Sequence, residues 1–512
     1  MNIKFYITTT LPYVNGDPHI GFAMEIIRAD TIARYHRLLG EKVVFNTGTD
    51  EHGQKIYQKA LEENKTPQEY CDEHALKYKN LKNVLNLSFT NFIRTTDSHH
   101  IKAAQEFWKR CDKNGDIYKA KYEIKYCVGC ELEKTDSELI DGKCPIHPNR
   151  PIEIIEEENY FFRFSNYQQK LLDFYNSHPG FVVPEFRFEE IKKFVSSGLK
   201  DFSISRVKAK MPWGIEVPGD PEQVMYVWFD ALIDYISTLG WPENKEKFNN
   251  FWPGTQIAGK DNLRQQSAMW QAMLKSAGLS NSKQIYIEGF ITSDGQKISK
   301  SLGNVIDPVT LTKKYGIDPV RYYLLREIPS YEDGDFSQRR FIELFNADLA
   351  NGLGNLLSRV LTLVNKNCGG KIPDPDRNPE THPLRTEQSI HNWKKTWLDI
   401  DNYLPQYRFD LALESIWKFI TEANKYIDQT EPWKLIEKDK KEFNWVIYGL
   451  LDSLAQIAWQ LYPFLPGTAV RIAQLLKIEG LLTKEPIYKD SWTNIKPGTT
   501  LLEPKPLFPR IK

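Results

Sequence analysis

Three cysteines and one histidine form two short pairs in the first third of the chain. Cys127 and Cys130 have the spacing C-x2-C, and after thirteen intervening residues Cys144 and His147 have the spacing C-x2-H. Thiolates and a neutral imidazole are ligands that Zn²⁺ prefers, and four protein ligands leave no open position for catalysis. The spacing therefore predicts one structural zinc ion that stabilises a small lobe with a thin core of its own.

A second group of chemically useful residues stands near the amino terminus. The apolar run 5–7 is typical of a buried strand, and a loop with Gly16 and Pro18 separates it from an amphipathic helix that begins near His19. The N–H groups of a helix N-terminus attract phosphate, the imidazole can donate a hydrogen bond, and Gly21 leaves room for a close backbone approach. Taken alone, this is one strand–loop–helix unit, and most such units bind no nucleotide.

An acidic residue follows the next expected strand. The run 43–49 is typical of a strand, and it ends at Asp50. Strand, helix and strand in this order predict a parallel βαβ unit. Ligands of such sheets bind beyond the carboxyl ends of the strands, so the His19 loop and Asp50 are expected at one edge. The alternative role for Asp50 is that of a helix N-cap.

Two lysines follow a strand much later in the chain. The run 284–291 is strand-like, and the polar stretch 293–304 after it contains Lys297 and Lys300. Lysine ammonium groups are compact charges that can follow a triphosphate through a reaction. Surface loops rich in Lys and Ser are common, so this loop alone is weak evidence. Together with the His19 loop on the same sheet, it predicts a two-part nucleotide site.

Composition limits the class of protein. The chain has 512 residues, which suggests about three domains. Its 67 basic and 67 acidic residues balance, so any nucleic-acid-binding surface must be local. The sequence contains no apolar run near the ~20 residues that span a bilayer, and no signal peptide, so we expect no membrane partner and a cytoplasmic location. Six cysteines in so long a chain are not a disulfide framework.

The order of the expected elements predicts an α/β fold: a Rossmann-like parallel sheet, split by a zinc-binding insert and followed by an all-α helix bundle. The expected bounds are 1–115 and 218–302 for the two halves of the Rossmann domain, 116–217 for the insert, 303–345 for a connecting stem and 346–512 for the bundle.

Within these bounds, 54–115 is expected to be helical, and 224–231 to be a buried strand that leads into a helix. Helices are also expected over 318–325, 345–364, 388–403, 411–428, 443–464 and 469–476, and the proline-rich tail 504–509 is expected to pack back as an extended strap.

These motifs resemble those of a known family. His19-Ile20-Gly21-Phe22 resembles the HIGH motif of class I aminoacyl-tRNA synthetases, and Lys297-Ile298-Ser299-Lys300-Ser301 resembles their KMSKS motif. The stretches around Tyr13, Asp50, Trp228 and Lys260 are similar to the methionine-specific family of that class. The resemblance runs from about residue 4 to the C-terminus. Two positions depart from it: Phe22 replaces the second His of HIGH, which helps to hold the ATP phosphates, and Ile298 replaces Met.

The resemblance implies activation of L-methionine by Mg²⁺-ATP and transfer of the methionyl group to tRNA(Met). The implied catalytic residues are His19, Lys297 and Lys300. The implied ATP-binding residues are His19, Gly21, Phe22, Gly259, Asp261, Ile291, Lys297 and Lys300, with Arg206 as a further phosphate contact. The implied methionine-binding residues are Leu11, Tyr13, Asp50, Trp228, Ala231, Tyr235, Gln266 and Trp270, of which Asp50 pairs with the ammonium group.

The resemblance also implies an anticodon site in the bundle, at Asn355, Arg359 and Trp433. No residue follows position 512, so the dimerisation domain appended in some family members is not in this chain and a monomer is expected. Two alternatives remain open. One is a synthetase for another amino acid, and the other is a non-catalytic tRNA-binding protein, for which Phe22 is the only support.

Overall fold

The computed structural model describes residues 3–130, 132–134, 138–293, 295–297, 306–378, 381–384, 392–478, 495–503 and 506–511. Up to residue 113 the elements are β1 (Lys4–Thr8), α1 (Ile20–Leu38), β2 (Lys42–Thr49), α2 (Gln54–Glu62), α3 (Pro67–Val84), β3 (Asn91–Arg94) and α4 (Ser98–Lys113). From residue 117 to 251 they are β4 (Ile117–Cys127), β5 (Leu132–Glu133), β6 (Ile152–Phe162), α5 (Gln168–Ser177), β7 (Val182–Val183), α6 (Glu185–Ser196), β8 (Phe202–Ser203), β9 (Ser205–Val207), β10 (Glu216–Val217), β11 (Asp220–Met225), α7 (Val227–Ala231), α8 (Asp234–Ser237) and α9 (Lys245–Phe251).

From residue 255 to 336 the elements are β12 (Thr255–Gly259), α10 (Trp270–Ser276), β13 (Gln284–Glu288), β14 (Ile291–Ser293), β15 (Gln296–Lys297), α11 (Pro308–Tyr315), α12 (Ile317–Arg326) and β16 (Gly334–Phe336). The remaining helices are α13 (Gln338–Leu344), α14 (Asn355–Asn367), α15 (Trp393–Tyr403), α16 (Phe409–Thr430), α17 (Pro432–Lys438), α18 (Lys440–Leu461) and α19 (Pro466–Leu475).

The central sheet has six strands in the order β3-β2-β1-β12-β13-β7, and every neighbouring pair is parallel. β1 lies in the middle, and four of its five residues, Phe5 to Thr8, are buried, as expected for a strand that is covered on both faces. The chain leaves β1 toward β2 on one side and reaches β12 on the other. The crevice at this reversal of strand order is where open α/β sheets bind ligands.

The split parallel sheet is confirmed, but three local expectations are corrected. The stretch 54–115 is not all helical, because 91–94 forms β3 at one edge of the sheet. The insert contributes β7 to the other edge. The strand expected over 224–231 ends at Met225 and belongs to a small antiparallel sheet, and α7 begins at Val227. Strands of two to four residues are too short to leave a periodic pattern in the sequence.

The insert is built on a long antiparallel pair. β4 and β6 pair from Ile117 opposite Phe162 to Cys127 opposite Ile152, and the cysteine and histidine pairs lie at and just beyond this far end. At the near end, Phe162 and Ile204 are buried in a core that also contains residues of the Rossmann domain. The metal-ligand candidates are therefore carried on a ribbon that is anchored at its base.

The C-terminal part is helical, as expected. A π-helical stretch, Phe345–Gly354, joins α13 to α14, and α16 packs against α15 and α18. The expected helix 388–403 is described from Trp393 onward, since residues 385–391 lie outside the described part. Within the expected tail, Phe508 packs on Phe345 with ring centroids 5.9 Å apart, whereas Pro504 and Lys505 lie outside the described residues.

The two halves of the molecule are joined through helix α1. Arg321 of α12 is fully buried, and its guanidinium lies 2.9 Å from a carboxylate oxygen of Asp30 on α1. The same guanidinium donates to the carbonyl oxygen of Phe464 at 2.7 Å, ahead of α19. The helix that begins at the His19 loop is thus tied directly to the bundle.

Candidate active site

A cavity of about 840 Å³ opens at the carboxyl ends of the central strands. Its walls come from the loop after β1, the loop after β2, helix α7 and the segments after β12 and β13. The cavity brings together most of the expected site residues. The lining residues among them are Leu11, Tyr13, His19, Gly21, Phe22, Asp50, Trp228, Ala231, Tyr235, Gly259, Asp261, Gln266 and Ile291.

His19 is the N-cap of α1, in an extended backbone conformation. Its Nδ1 accepts a hydrogen bond from the backbone N–H of Gly21 at 3.1 Å. An accepting Nδ1 assigns the ring proton to Nε2, so the Nε2 edge of the ring is a donor. A Cβ at position 21 would lie 3.0 Å from Cε1 of His19, so a larger residue at Gly21 would push the ring from its place.

Phe22 has a packing role in this structure. Its side chain is 8% exposed and meets Tyr78 of α3 edge to face, with ring centroids 5.6 Å apart. The hydroxyl of Tyr78 in turn donates to the carbonyl oxygen of Gly16 at 3.2 Å. The residue that departs from the family motif therefore ties α1 to α3 below the opening loop.

The opening loop is tied to α1 by a buried carboxylate that the sequence did not single out. Glu25 accepts hydrogen bonds from the backbone N–H and the hydroxyl of Thr10, both at 2.7 Å. Burial, together with the nearby Glu288 carboxylate, raises the pKa of Glu25 well above its ordinary value. Burial also raises the pKa of Glu288 to about 7, although Arg28 lies 3.1 Å away. Glu25 is five residues after Ile20, which places it about 140° around the helix and away from the apolar face of Ile20, Met24 and Ile27, so the sequence pattern did not mark it.

Three consecutive ionisable residues of the loop 50–53, beginning with Asp50, have side chains in three different environments. Asp50 lines the cavity, and its backbone bonds to the opening loop at Pro12 and Val14. Glu51 is fully buried and accepts two hydrogen bonds from Arg94, at 2.6 and 2.8 Å. His52 lies with Nδ1 2.9 Å from Oδ2 of Asp230 on α7. Two anchors therefore hold the cavity-lining carboxylate in place.

The apolar end of the cavity has aromatic walls. Tyr13, Trp228 and Tyr235 line it, and the amide of Gln266 donates to the hydroxyl of Tyr235 at 2.5 Å. The oxygen of Gln266 accepts from Gln256 at 3.0 Å, which fixes the orientation of its amide. Trp270 is fully buried behind Tyr235, with ring centroids 6.0 Å apart, and is not among the lining residues. Trp270 thus supports the wall from behind.

The opposite end carries the strand ends expected for a nucleotide. Gly259, Asp261 and Ile291 line this end, together with Phe290 and Asp333, which the sequence did not single out. Asp333 accepts from the backbone N–H of Phe290 at 2.9 Å and from Lys260 at 2.6 Å. A short surface loop such as 331–334 carries no pattern that would have identified it.

The lysine loop is described only at its base. Lys297 ends strand β15, which pairs with β14, while its side chain and residues 298–305, including Lys300, lie outside the described part. β14 also pairs with β16 of the stem. Asp335 accepts from the hydroxyl of Thr292 at 2.6 Å and from the N–H of Gly295 at 2.8 Å. The hairpin that carries Lys297 is therefore fastened to the stem.

Arg206 lies away from this cavity. It lines a neighbouring cavity of about 360 Å³ at the base of the insert, and its guanidinium lies 4.2 Å from the ring centroid of Tyr226. One of its nitrogens donates to the hydroxyl of Ser203 at 2.9 Å and to the carbonyl oxygen of Ser205 at 2.7 Å.

The predicted metal ligands converge. The ligand atoms of Cys127, Cys130, Cys144 and His147 all lie within 4.8 Å of one another. The Sγ atom of Cys130 is 3.4 Å from that of Cys144 and 3.2 Å from Nδ1 of His147. A Cβ at Gly129 would overlap the His147 ring, so only glycine lets the two pairs close. This cluster can hold a metal ion, and Cys130 also reaches the wall of the main cavity.

The predicted anticodon residues share one side of the bundle. Asn355 and Arg359 on α14 bond to Asn424 and Asp428 on α16, at 3.3 and 2.5 Å. Trp433 follows in the first turn of α17 and is 46% exposed.

Comparisons with known proteins define the class. The fold and the two-ended cavity are those of a class I aminoacyl-tRNA synthetase, and the family model described as "tRNA synthetases class I (M)" matches residues 5–151 and 130–361. The chain is 44% identical to the methionine–tRNA ligase of Thermotoga maritima, covering 99% of this chain and 80% of that relative. It is 41% identical to that of Brucella suis, covering 99% and 98%.

Solved structures agree. Mycobacterium tuberculosis methionyl-tRNA synthetase in complex with methionyl-adenylate matches with a TM-score of 0.92 and 37% identity, covering 99% of this chain and all of that one. The apo form of the same enzyme gives a TM-score of 0.86. The chain belongs to the methionyl-tRNA synthetase family, which confirms the resemblance read from the motifs. Across the described residues, no helix combines the length and apolarity needed to cross a bilayer.

Proposed function

We propose that this protein is a methionine–tRNA ligase that activates L-methionine with Mg²⁺-ATP and transfers the methionyl group to the 3′ end of tRNA(Met) in the cytoplasm. One observation carries the proposal: a single cavity joins an aromatic-walled end to a glycine-lined end with a carboxylate, and Asp50 lies in its wall. The family membership of the chain supports the same reaction.

The first step needs no protein nucleophile. An oxygen of the methionine carboxylate attacks the α-phosphorus of ATP, and the bond from that phosphorus to the bridging oxygen breaks as pyrophosphate leaves. Catalysis then depends on positioning and on stabilising charge on the phosphates. His19, Lys297 and Lys300 would act on that charge. Asp261 would bind the ribose, and Gly259 and Ile291 would border the adenine.

The second substrate would occupy the aromatic end. Leu11, Tyr13, Trp228, Ala231 and Tyr235 offer an apolar surface for the flexible thioether of methionine. Trp270 would support the pocket wall from behind Tyr235. The amide of Gln266, held by its two hydrogen bonds, would limit the depth of the pocket. The ammonium group would pair with Asp50, whose backbone is fixed by the opening loop.

The metal cluster and the bundle would serve structure and recognition. Zn²⁺ suits three thiolates and one imidazole, and with four protein ligands it would hold the tip of the insert together. In the bundle, Asn355, Arg359 and Trp433 would read the anticodon, with the exposed indole as a stacking platform.

Pyrophosphate exchange tests this proposal. Radioactive pyrophosphate should enter ATP in the presence of methionine, but not of leucine or cysteine. Exchange driven by leucine or cysteine would point to another amino acid, and tRNA binding without any exchange would point to a non-catalytic protein. Lys300→Ala should lower the adenylation rate far more than the affinity for methionine. An unchanged rate in that variant would contradict the role in charge stabilisation.

A further inference from the structure

The wall of the main cavity is strongly acidic, apart from one lysine. The described lining residues include seven carboxyl groups: Asp17, Glu25, Asp50, Asp234, Asp261, Glu288 and Asp333. Among the lining residues that the structure describes, Lys55 is the only lysine or arginine. A triphosphate brought into such a cavity would meet repulsion unless cations from the protein faced it.

Some of these carboxyl groups pair with cations that are not among the cavity-lining residues. Asp17 pairs with Lys77 at 2.9 Å, Asp333 with Lys260 at 2.6 Å, and Glu288 with Arg28 at 3.1 Å. Burial raises the pKa of Glu25 and of Asp234, which favours their neutral forms. None of these partners is a cavity-lining residue. Among the described lining residues, Lys55 is therefore the one lysine or arginine that can place its charge in the open cavity.

Lys55 is the second residue of α2 and is half-buried. It forms no ion pair or hydrogen bond with the residues that the structure describes, whereas Lys59, one turn later, pairs with Glu62 at 2.5 Å. The first turn of α2 lies against the opening loop, because the hydroxyl of Tyr13 occupies the space beside Gly53. Lys55 therefore lines the cavity close to Tyr13, in the opening loop that continues to His19 and Phe22.

We propose that Lys55 contacts the phosphate chain of ATP during activation and supplies a positive charge on the side where Phe22 offers none. This inference rests on the proposed function. As the carboxylate oxygen bonds to the α-phosphorus, the electron pair of the breaking P–O bond passes to pyrophosphate. The ammonium of Lys55 keeps its proton and stabilises that charge. Lys55 is thus a further catalytic residue for this reaction.

The test compares Lys55→Met with Lys59→Met, a matched loss of charge one turn further along the same helix, at a lysine that pairs with Glu62 and does not line the cavity. Lys55→Met should lower the exchange rate by roughly 100-fold, the range for loss of one charge-stabilising group, and raise KM for ATP. KM for methionine should not change. Lys55→Arg should keep much of the activity, and adding Phe22→His to Lys55→Met should restore part of it. Lys59→Met should match the wild type.

Three outcomes would overturn the inference. The first is that Lys55→Met exchanges pyrophosphate as well as Lys59→Met does. The second is normal exchange with a loss confined to tRNA charging, which would assign Lys55 to the nucleic acid. The third is that ATP raises the Tm of Lys55→Met as much as it raises the Tm of Lys59→Met. If the wild-type protein showed no pyrophosphate exchange, the proposed function would be refuted instead. The comparison of Tm shifts with ATP would then still show whether Lys55 contacts the nucleotide.

Discussion

His52 and Asp230 are paired across the wall of the cavity, with Nδ1 of the histidine 2.9 Å from Oδ2 of the aspartate. Their side chains are 5% and 0% exposed. The pair joins the loop that carries Asp50 to the helix that carries Trp228 and Ala231. The two surfaces that would hold opposite ends of methionine are thereby fixed to each other.

His52→Ala should destabilise the fold and weaken methionine binding together. Removing the imidazole leaves the buried Asp230 carboxylate without this partner, which costs about 1–3 kcal/mol. Denaturant unfolding should show that loss, and exchange kinetics should show a higher KM for methionine. Asp230→Asn, which preserves a hydrogen bond to the ring, should lose less on both measures. Equal stability of His52→Ala and wild type would contradict the anchoring role.

The Glu288 carboxyl should make stability fall as pH rises. Its pKa is about 7 in the folded protein and 4.5 ordinarily, so between these values the folded state keeps a proton that the unfolded chain has lost. The stabilisation is complete below pH 4.5 and disappears as pH rises through 7. Its size is roughly 3–4 kcal/mol at most, from ~1.4 kcal/mol for each pKa unit.

Urea unfolding at a series of pH values measures this effect. Glu288→Gln keeps an acceptor for Arg28 but cannot titrate. The unfolding free energy of the wild type minus that of the variant should therefore fall as pH rises from 4.5 through 7. A difference that stays constant with pH would show that Glu288 has an ordinary pKa.

Gly129→Ala should release the metal without removing a ligand. The added methyl group would overlap the ring of His147 and displace it from the three cysteines. Zinc content of the purified protein should fall from one ion per chain, as it should for Cys127→Ser. Cys368→Ser, in a cysteine outside the cluster, should retain one ion. Full zinc content in Gly129→Ala would mean that the two pairs close differently.

Trp433→Ala should separate the two steps of the reaction. Loss of one base-stacking platform costs about 1–3 kcal/mol, which corresponds to a decrease of about 5- to 150-fold in kcat/KM for tRNA. Pyrophosphate exchange should be unchanged, because Trp433 lies in the bundle and not in the cavity wall. Leu398→Ala, an exposed residue of α15, serves as the control. A loss of exchange in Trp433→Ala would argue against an anticodon role.

The sequence predicted best those features that repeat or that need special residues. The apolar run of β1 and the C-x2-C and C-x2-H pairs each leave a pattern, and each lies where expected. Helix α1 also begins after Pro18 as expected, but it is buried on nearly all sides and not on one apolar face. The sequence did not predict β3 and β7, because these strands contain only four and two residues and depend on neighbours distant in sequence. Such edge strands form through pairing with the rest of the sheet rather than from local preference.

Contacts between distant segments explain the rest. Trp270 and Tyr235 are both buried aromatics, and only the packing decides that Tyr235 faces the cavity while Trp270 stands behind it. Lys55 and Asp333 have ordinary neighbours in sequence, and their position in the cavity wall follows from how α2 and the stem pack on the sheet. Arg206 was expected near phosphate, yet it lines the neighbouring cavity.

The central position of β1 has a consequence for biosynthesis. On one side β1 pairs with β2, which follows it closely, but on the other side Ile7 faces Thr255 of β12. At translation rates of ~5–20 residues per second, the second partner emerges on the order of 10–50 s after the first. During that interval the nascent chain exposes the unpaired edge of an apolar strand, a ready template for aggregation. We therefore expect the growing chain, stalled before residue 255, to be captured by chaperones, and to be released once β12 has been synthesised.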